Sequence, residues 1–574
     1  MRWPLPDWLK TYRLRHLPED TTAALAVSLV LVPQGLAYAI LAGLPPQAGL
    51  YAALLPLIAY SLLGSSRALS VGPVAIIALM TASALDGIAV PGSAEYVTAA
   101  IALALLAGVM LLLFGLLRLG AMAQFLSHPV ISGFISGAAL SIAIGQLPPL
   151  LGIELEGDTA LQLLGDLLTL SWGFVASPAA TFPPPISLTA TVGLGTLLLF
   201  WLTRRYLASC LTILGVSGSR ASLISKLVPT AAVLGSALAV SLFDWEDRMA
   251  VVGALPAGLP ALVWPTLDLP LLRTLALPAL MISLVIFVES IAIAQSFALR
   301  QRTRIDSNAE LRGLGVANIA SAVCGGFPVA GGFTRTTVNV DGGARTPLAS
   351  ILAAFFVALI LLFATGVFHT LPMAVLAATV MAAVIQLVDL KSLRYNWRYD
   401  RAEGMAQLGT LLGVLIAGVE VGIAIGITLS LATLIWRASR PHMAVIGRIP
   451  ETEHFRNVER FQVEVRPELL MLRIDENLFF GNAEAVEKRT LHLLEKQPEA
   501  RHLVLVLSSV SSIDATALEM LELLNEQLKE RGQRLHLAEV KGPVLAQLET
   551  RDFPTRLSGQ LHLSANAAFE TLTG

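Results

Sequence analysis

The sequence predicts an α-helical polytopic membrane protein of fourteen transmembrane segments, arranged as two inverted seven-span repeats and followed by a soluble α/β domain. Three observations lead to this fold class. Charged residues are scarce in most of the chain and common in its last part, basic residues fall on alternate loops, and two short sequence words recur at one offset.

Charge divides the chain at Arg440. Up to and including that residue, 45 of 440 side chains are charged, and after it 35 of 134 are charged. Soluble domains are about 25% charged, so only the last part has a soluble composition. The predicted organisation is a cytoplasmic N-terminal segment 1–20, a membrane domain 21–436, a linker 437–458 and a soluble domain 459–574.

Fourteen apolar stretches lie in the first 436 residues. Several are shorter than the roughly 20 residues that a straight span needs, and three of these short stretches are interrupted by Gly and Pro. The fourteen stretches are 21–41, 47–63, 69–85, 96–117, 128–147, 184–203, 223–243, 274–299, 311–324, 330–341, 347–366, 372–388, 404–419 and 421–436.

Basic residues support this count. If the N-terminus is cytoplasmic and every stretch crosses, 21 of the 24 basic residues before the tail lie on the cytoplasmic side. Only Arg248 and Arg273 lie outside, and Arg335 lies within the membrane. The positive-inside rule then predicts a multi-pass protein of the cell (inner) membrane with a cytoplasmic N-terminus and tail.

Two sequence words recur 255 residues apart. Residues 28–39 (SLVLVPQGLAYA) and 283–294 (SLVIFVESIAIA) share five of twelve positions, and the same offset places Pro73-Val74-Ala75 opposite Pro328-Val329-Ala330. We interpret the matches as duplicated halves, which an odd number of spans inverts. The predicted repeats are about 21–243 and about 274–436.

Two interrupted segments predict an anion site. Residues 69–75 contain Gly-Pro, and residues 325–335 contain four glycines before a short polar helix. Broken helices near the bilayer midplane direct free N–H groups and the positive ends of their dipoles at an anion. Arg335 adds a full charge and a planar donor fork that suits oxyanions. Alternatively, the glycines only allow close helix packing, and Arg335 caps a helix or pairs with a structural acid.

Glu289 lies inside the apolar stretch 274–299, where an unpaired carboxylate is unfavourable by several kcal/mol. It either forms a permanent salt bridge with Arg335 or takes up a proton together with the anion. We favour proton uptake.

Other functional classes are not supported. The net charge of −2 gives no electrostatic basis for binding nucleic acid, and Cys210 and Cys324 suggest neither a disulfide framework nor a metal site. The sequence has no HExxH, GxSxG or GxxxxGK[ST] motif and no histidine cluster in its spans, so no enzyme, cofactor or metal is expected.

Longer motifs resemble those of the sulfate permease (SulP) family of anion transporters. They are Val32–Pro46 with VPQGLAYAILAGLPP, Gly64–Arg67 with GSSR, Ser70–Ala75 with SVGPVA and Phe327–Asn339 with FPVAGGFTRTTVN. The last motif is most similar to the corresponding motif in the branch of plant and animal sulfate carriers, in which a Ser or Thr precedes the Arg.

The resemblance implies a homodimer with a cytoplasmic STAS domain, and a core domain (spans 1–4 and 8–11) that moves against a gate domain (spans 5–7 and 12–14). It implies proton-coupled sulfate uptake by an elevator-like motion. A carrier of bicarbonate or of a fumarate-like dicarboxylate, or an uncoupled exchanger or channel, remains the alternative. Glu289 matches the acid associated with proton coupling, and Thr334 replaces the more usual Ser. The implied anion-site residues are Gln34, Tyr38, Val74, Ala75, Phe333, Thr334 and Arg335.

The tail alternates strands and helices, which predicts an α/β domain. Strands are expected at 461–465, 469–474, 503–507 and 535–539, and a helix from Asp514 to about Arg531. Asp514 and Thr516 match the STAS loop that carries a phosphorylatable hydroxyl in anti-sigma-factor antagonists. Asp514 is also a good helix N-cap, and we favour this structural role over regulation.

Overall fold

A computed structural model describes residues 7–121, 127–153, 155, 160–176, 187–264 and 268–573. Within these ranges the chain forms two compact units, residues 1–430 and 431–574. The first six residues of the predicted N-terminal segment, and the predicted start of the sixth apolar stretch at 184–186, lie outside the described residues.

The first unit is helical. Its first half contains α1 (Asp7–Lys10), α2 (Leu17–Leu41), α3 (Gln47–Tyr51), α4 (Leu55–Leu63), β1 (Val71–Gly72), α5 (Ala75–Leu85), α6 (Ala94–Leu116), α7 (His128–Gly145), α8 (Leu147–Leu151), α9 (Ala160–Ala176), α10 (Leu188–Leu202), α11 (Ala208–Ile213) and α12 (Gly218–Phe243). Its second half contains α13 (Leu269–Gln301), α14 (Ser307–Val323), β2 (Ala330–Gly331), α15 (Phe333–Asp341), α16 (Leu348–Phe363), α17 (Met373–Val384), α18 (Leu390–Tyr399), α19 (Arg401–Ala417) and α20 (Val419–Ala438).

Each of the fourteen predicted stretches contains a helix, and within the described ranges seven helical stretches are long and apolar enough to cross a bilayer. The protein is therefore a multi-span membrane protein. Two helices of ten residues or more fall where loops were expected. Asp166 interrupts the apolar pattern of α9, and α18 carries too many charges to count as an apolar stretch.

The two Gly-interrupted segments pair with each other. Strands β1 and β2 are antiparallel, with Val71 opposite Gly331 and Gly72 opposite Ala330. The helices that follow them begin at Ala75 and Phe333, which are 258 residues apart. The Pro-Val-Ala match at an offset of 255 is therefore wrong as a structural equivalence, because the second segment is three residues longer before its helix begins.

The most extensive helix contacts of the first unit fall in two sets, although α2 also contacts α12 and α17, and α5 contacts α7. Helix α14 packs on α6 and α4, and α16 packs on α2, while α19 packs on α7 and α10 packs on α17. Glycines allow the closest approaches. A Cβ atom on Gly315 of α14 would lie 2.6 Å from the Leu112 nitrogen of α6, so a larger residue would force these helices apart.

The second unit is a six-stranded sheet with helices on both faces. Its strands are β3 (Met443–Arg448), β4 (Phe455–Asn457), β5 (Leu469–Ile474), β6 (His502–Val506), β7 (Arg534–Ala538) and β8 (Leu561–His562), in the order β4-β3-β5-β6-β7-β8. Its helices are α21 (Ala483–Lys496), α22 (Ala515–Glu530), α23 (Gly542–Glu549), α24 (Phe553–Arg556) and α25 (Ala565–Thr573). Strands β5 to β8 are parallel, and β3 is antiparallel to β5.

Strand β6 is buried on both faces, as its continuous apolar sequence predicted. Leu503 and Leu505 belong to one apolar core, and Val504 and Val506 belong to another. Two expectations for the tail are wrong. Residues 461–465 form no strand, because only Glu464 bridges to Arg448, and the predicted linker 437–458 contains β3 and β4.

Three histidines stand side by side on adjacent strands. His502 Nδ1 lies 3.0 Å from His536 Nε2, and His536 Nδ1 lies 3.3 Å from His562 Nε2. The backbone N–H of Gln560 donates to His536 Nδ1 at 3.1 Å, so the His536 proton lies on Nε2. Burial, and then the neighbouring histidines, lower the pKa of His536 to about 4; burial is also the main cause that lowers the pKa of His502 and His562.

Candidate functional site

The starts of α5 and α15 meet because β1 pairs with β2. The Ser70 carbonyl accepts from the Gly332 N–H at 3.0 Å, and the Thr336 hydroxyl accepts from the Ser70 N–H at 3.2 Å. The first backbone bonds inside the two helices are donated by Ala78 and Thr336. The N–H groups of residues 75–77 and 333–335 thus come before the helical bonding begins, and two positive helix ends meet in one region.

Side chains of α14 hold the glycine-rich segment before β2. Asn318 accepts from the Val329 N–H at 2.8 Å and donates to the Val329 carbonyl at 3.0 Å, and Ser321 donates to the Phe327 carbonyl at 2.6 Å. Both side chains are fully buried. Sequence reasoning missed them, although two polar residues three positions apart on one face of an apolar helix were an available signal.

Arg335 lies between the two helix starts and is 1% exposed. Its Nη1 donates to the Pro73 carbonyl at 2.5 Å, whereas Nε and Nη2 have no hydrogen-bond partner. A Cβ atom on Gly332 would lie 2.6 Å from the Arg335 Cζ, so only glycine leaves room for the guanidinium there. Two donors of a buried cation are left for a ligand.

Glu289 lies on α13 beside Ser290, whose hydroxyl accepts from the Gly331 N–H at 2.9 Å. The Oε2 atom of Glu289 is buried and makes no hydrogen bond. Among the described residues no ion pair joins Glu289 to Arg335, so the permanent salt bridge that we considered is not present. The charges of Glu289 and Arg335 nevertheless act on each other and on the Tyr38 hydroxyl, so the three groups share one electrostatic environment.

A cavity of about 740 Å³ reaches the predicted site from one side. Gln34 of α2 and the adjacent Phe333 and Thr334 of α15 line it, facing residues of α10, α12 and α17. Arg204 and Lys226 also line this cavity, and Lys226 forms an ion pair with Asp341.

The other predicted residues lie outside this lining. Tyr38, Val74, Ala75 and Arg335 are buried in the core. Glu289 instead lines a separate small cavity of about 40 Å³, whose other walls are apolar residues of α7, α13 and α20.

Glu310 is a second buried carboxylate, which sequence reasoning missed. Its Oε1 accepts from the Ser65 N–H at 2.8 Å, the Ser66 N–H at 2.9 Å and the Ser65 hydroxyl at 2.7 Å, and its Oε2 accepts from the Tyr60 hydroxyl at 2.7 Å. Four donors satisfy it, so Glu310 joins α14 to the loop after α4, in contrast to the unpartnered Glu289. The Ser-Ser pair of the GSSR motif was the available signal.

In the tail, Asp514 has the structural role that we favoured. Its Oδ1 accepts from the Ala517 N–H at 2.9 Å and caps α22, and its Oδ2 accepts from the Phe480 N–H at 2.8 Å. Thr516 lies in the first turn of α22 and is exposed. Phosphorylation of that hydroxyl stays a prediction.

Comparisons with known proteins agree on one family. The sequence profile of the sulfate permease family matches residues 17–410, and that of the STAS domain matches residues 460–563. A probable sulfate transporter of Mycobacterium tuberculosis is 35% identical over 535 residues, which cover 93% of this chain and 91% of that protein. The chloroplastic sulfate transporter 4.1 of Arabidopsis thaliana is 32% identical over 550 residues, covering 93% and 77% of the two chains.

The fold is also similar to a solved structure. Murine Solute Carrier 26 family member A9, an anion transporter in the inward-facing state, superposes with a TM-score of 0.85 at 19% sequence identity. The superposition covers 99% of this chain and 94% of that one.

Proposed function

The chain belongs to the sulfate permease family, and on that premise we propose that it is a secondary active transporter that takes up sulfate together with protons. It is a transporter and not an enzyme. The relatives named above as sulfate transporters favour sulfate over bicarbonate or a dicarboxylate.

The observation that carries the proposal is the buried Arg335 guanidinium with two unpartnered nitrogen atoms between two helix starts. A sulfate ion brings a charge of −2 to this region. Arg335 contributes +1, and each helix end about +0.5. These charges balance, so the region suits a divalent oxyanion. In this proposal Gln34, Tyr38 and the backbone of Val74 and Ala75 complete the anion site, together with Phe333 and Thr334.

Glu289 is proposed as the proton-coupling group. Its buried Oε2 has no donor to stabilise a negative charge, and an ionised Glu289 would add −1 to a region that sulfate and Arg335 already balance. Transfer of net charge through the low-dielectric interior is unfavourable. Proton uptake by Glu289 and sulfate binding should therefore stabilise each other.

The proposed movement is an elevator-like shift of a core domain against a gate domain. The core would contain α2–α6 and α13–α16, and the gate α7–α12 and α17–α20, as fourteen spans in two inverted repeats. Two features support this division: the most extensive helix contacts fall within the proposed core or within the proposed gate, and the antiparallel pairing of β1 with β2 is the relation that inverted repeats would give.

The proposed orientation and assembly follow from charge and family. The predicted cytoplasmic side carries Arg204 and Lys226, and the cavity that they line with Thr334 would then open to the cytoplasm. On this basis the N-terminus and the STAS domain are cytoplasmic, the protein lies in the cell (inner) membrane, and it forms a homodimer.

The test is uptake by the purified protein in liposomes. Labelled sulfate, bicarbonate and fumarate are compared with and without an inward proton gradient, with protein-free liposomes as the leak control. We expect sulfate alone to accumulate, and only with the gradient. Accumulation of bicarbonate or fumarate instead would make the protein a carrier of that anion. If sulfate only equilibrates across the membrane, to the same extent with and without the proton gradient, the protein would be an uncoupled exchanger or channel.

The contribution of the site is tested in the same assay with Arg335→Ala. Its matched control is Arg304→Ala, which removes an exposed arginine of the loop between α13 and α14. We expect transport to fall to the leak rate in Arg335→Ala and to be retained in Arg304→Ala. Equal transport by both variants would contradict the proposed anion site.

A further inference from the structure

Helix α18 lies at the membrane boundary because of what flanks it. It joins α17 and α19, which are both largely apolar and come from predicted spans, through only a few residues on either side. Its ten residues span about 15 Å, and they include three basic side chains and two tyrosines rather than a continuous apolar sequence. A helix of this composition between two spans has to lie at the water–lipid interface.

One face of α18 is fixed to the protein. The Asn396 amide donates to Gln407 Oε1 at 2.7 Å, and Gln407 Nε2 donates to the Ser132 hydroxyl of α7 at 3.1 Å. A Cβ atom on Gly404 would lie 2.8 Å from the Trp397 Cα, so α18 and α19 approach closely. The opposite face is therefore held outward in a fixed orientation.

That outward face is basic and aromatic. Lys391, Arg394, Tyr395, Arg398 and Tyr399 follow a spacing of three or four residues, which places them on one stripe, and together they line a shallow groove. The tyrosine rings are 66% and 78% exposed and stack with centroids 6.0 Å apart and planes 7° apart. Within the described residues none of the three basic side chains forms an ion pair or a side-chain hydrogen bond.

The acids at the two ends of α18 are used as caps. Asp389 accepts from the Ser392 N–H at 2.9 Å, and Asp400 accepts from the Ala402 N–H at 2.9 Å. The stripe between them keeps three positive charges beside two amphipathic rings.

We propose that this stripe binds the headgroup of an anionic phospholipid of the surrounding bilayer. The three clustered cations attract the negatively charged phosphate, and tyrosine rings are suited to the interface, where one edge contacts lipid and the hydroxyl contacts water. An acidic protein segment would also match the charge, but the position between two spans puts lipid headgroups within reach at all times.

The test measures binding of short-chain lipids to the full-length protein in neutral detergent by thermophoresis. The lipid probes are dioctanoylphosphatidylglycerol and dioctanoylphosphatidylcholine. Inorganic phosphate and a deca-glutamate peptide are measured as alternative ligands, which represent a free anion and an acidic protein segment. The test variant is Arg394→Gln with Arg398→Gln. The matched control is Arg302→Gln with Arg304→Gln, which removes two exposed arginines elsewhere in the same unit.

We expect the phosphatidylglycerol affinity to fall about 30-fold in the test variant, since each basic residue near the surface contributes a factor of about five. It should stay within threefold of the parent in the control, and also in Arg394→Lys with Arg398→Lys, which keeps both charges. Equal affinity of the test and control variants would overturn the proposal. Tighter binding of inorganic phosphate or deca-glutamate than of phosphatidylglycerol, through the same arginines, would overturn it in favour of a free anion or an acidic protein segment.

Discussion

Acidification should destabilise the tail through the three histidines on β6, β7 and β8. His536 is 2% exposed, and its Nδ1 faces two groups that can donate to it, the Gln560 N–H and His562 Nε2. A second proton on the ring would have to enter at that nitrogen. That proton would place a positive charge in a buried site, and the Nδ1–H group would face the Gln560 N–H, which is also a donor. These effects lower the pKa of His536 to about 4.

The sign and size of the effect follow from linkage. In the unfolded chain His536 should titrate near 6.5, so between about pH 6.5 and pH 4 the unfolded state binds up to one proton more than the folded state. Stability is complete above about pH 6.5 and is lost as the pH falls towards 4. For these two pKa values the loss at pH 5, relative to pH 7.5, is about 2 kcal/mol. His502 and His562 act in the same direction.

Urea unfolding of residues 437–574, followed by circular dichroism between pH 7.5 and 5.0, measures this loss. The fragment contains both apolar cores of the tail. His536→Gln should be less stable at pH 7.5 but should lose about 2 kcal/mol less on acidification than the parent. The control His492→Gln, at a half-exposed position of α21, should follow the parent. If His536→Gln loses as much stability as the parent between the two pH values, the reasoning is refuted.

Four further predictions concern transport and stability of the full chain. Arg335→Lys should weaken sulfate binding and Arg335→Ala should nearly abolish it, because the lysine keeps the charge but loses the planar fork; normal affinity in a folded Arg335→Ala protein would contradict the site. Glu289→Gln should exchange sulfate but fail to concentrate it on a proton gradient, and pH-dependent accumulation equal to the parent would assign coupling to another group. Glu310→Ala should lower stability by at least about 2 kcal/mol, seen as a lower melting temperature in detergent, because it leaves buried donors without an acceptor; an unchanged melting temperature would argue against the network. Removal of residues 441–574 should leave anion preference unchanged while lowering rate or dimer stability, and an altered preference in uptake assays would refute the independence of the two units.

Sequence patterns predicted the helices well where lipid contact fixes composition. A membrane-facing helix has to be apolar along its length, so counting apolar stretches located a helix in all fourteen cases. The same count missed α9 and α18, because a helix at an interface or with polar sides keeps charges and resembles a loop. Short runs of apolar residues located the tail strands, except at 461–465. The composition of that segment is typical of a strand, but it does not reveal that only Glu464 finds a pairing partner in the fold.

The sequence predicted those site residues whose charge alone marks them as unusual in an apolar stretch. An arginine or a carboxylate in an apolar stretch is conspicuous, so Arg335 and Glu289 could be singled out. The supports of the site were missed, because their local sequence signals do not name the partners that the fold brings near, such as Tyr60, which is 250 residues from Glu310. The repeat offset failed for a related reason, since an insertion of three residues changes a sequence register without changing the pairing of β1 and β2.

That pairing has a consequence for the direction of transport. Because β1 and β2 bond to each other and Arg335 bonds to the Pro73 carbonyl, both helix starts and Arg335 would travel together in the proposed core movement. A site carried unchanged between two faces of a membrane binds its cargo with about the same intrinsic strength at each. Such a carrier can transport the anion in either direction, and its binding site does not favour import over export. Net accumulation would then have to come from the gradient of the proposed coupling proton, and reversing that gradient should reverse the direction of transport.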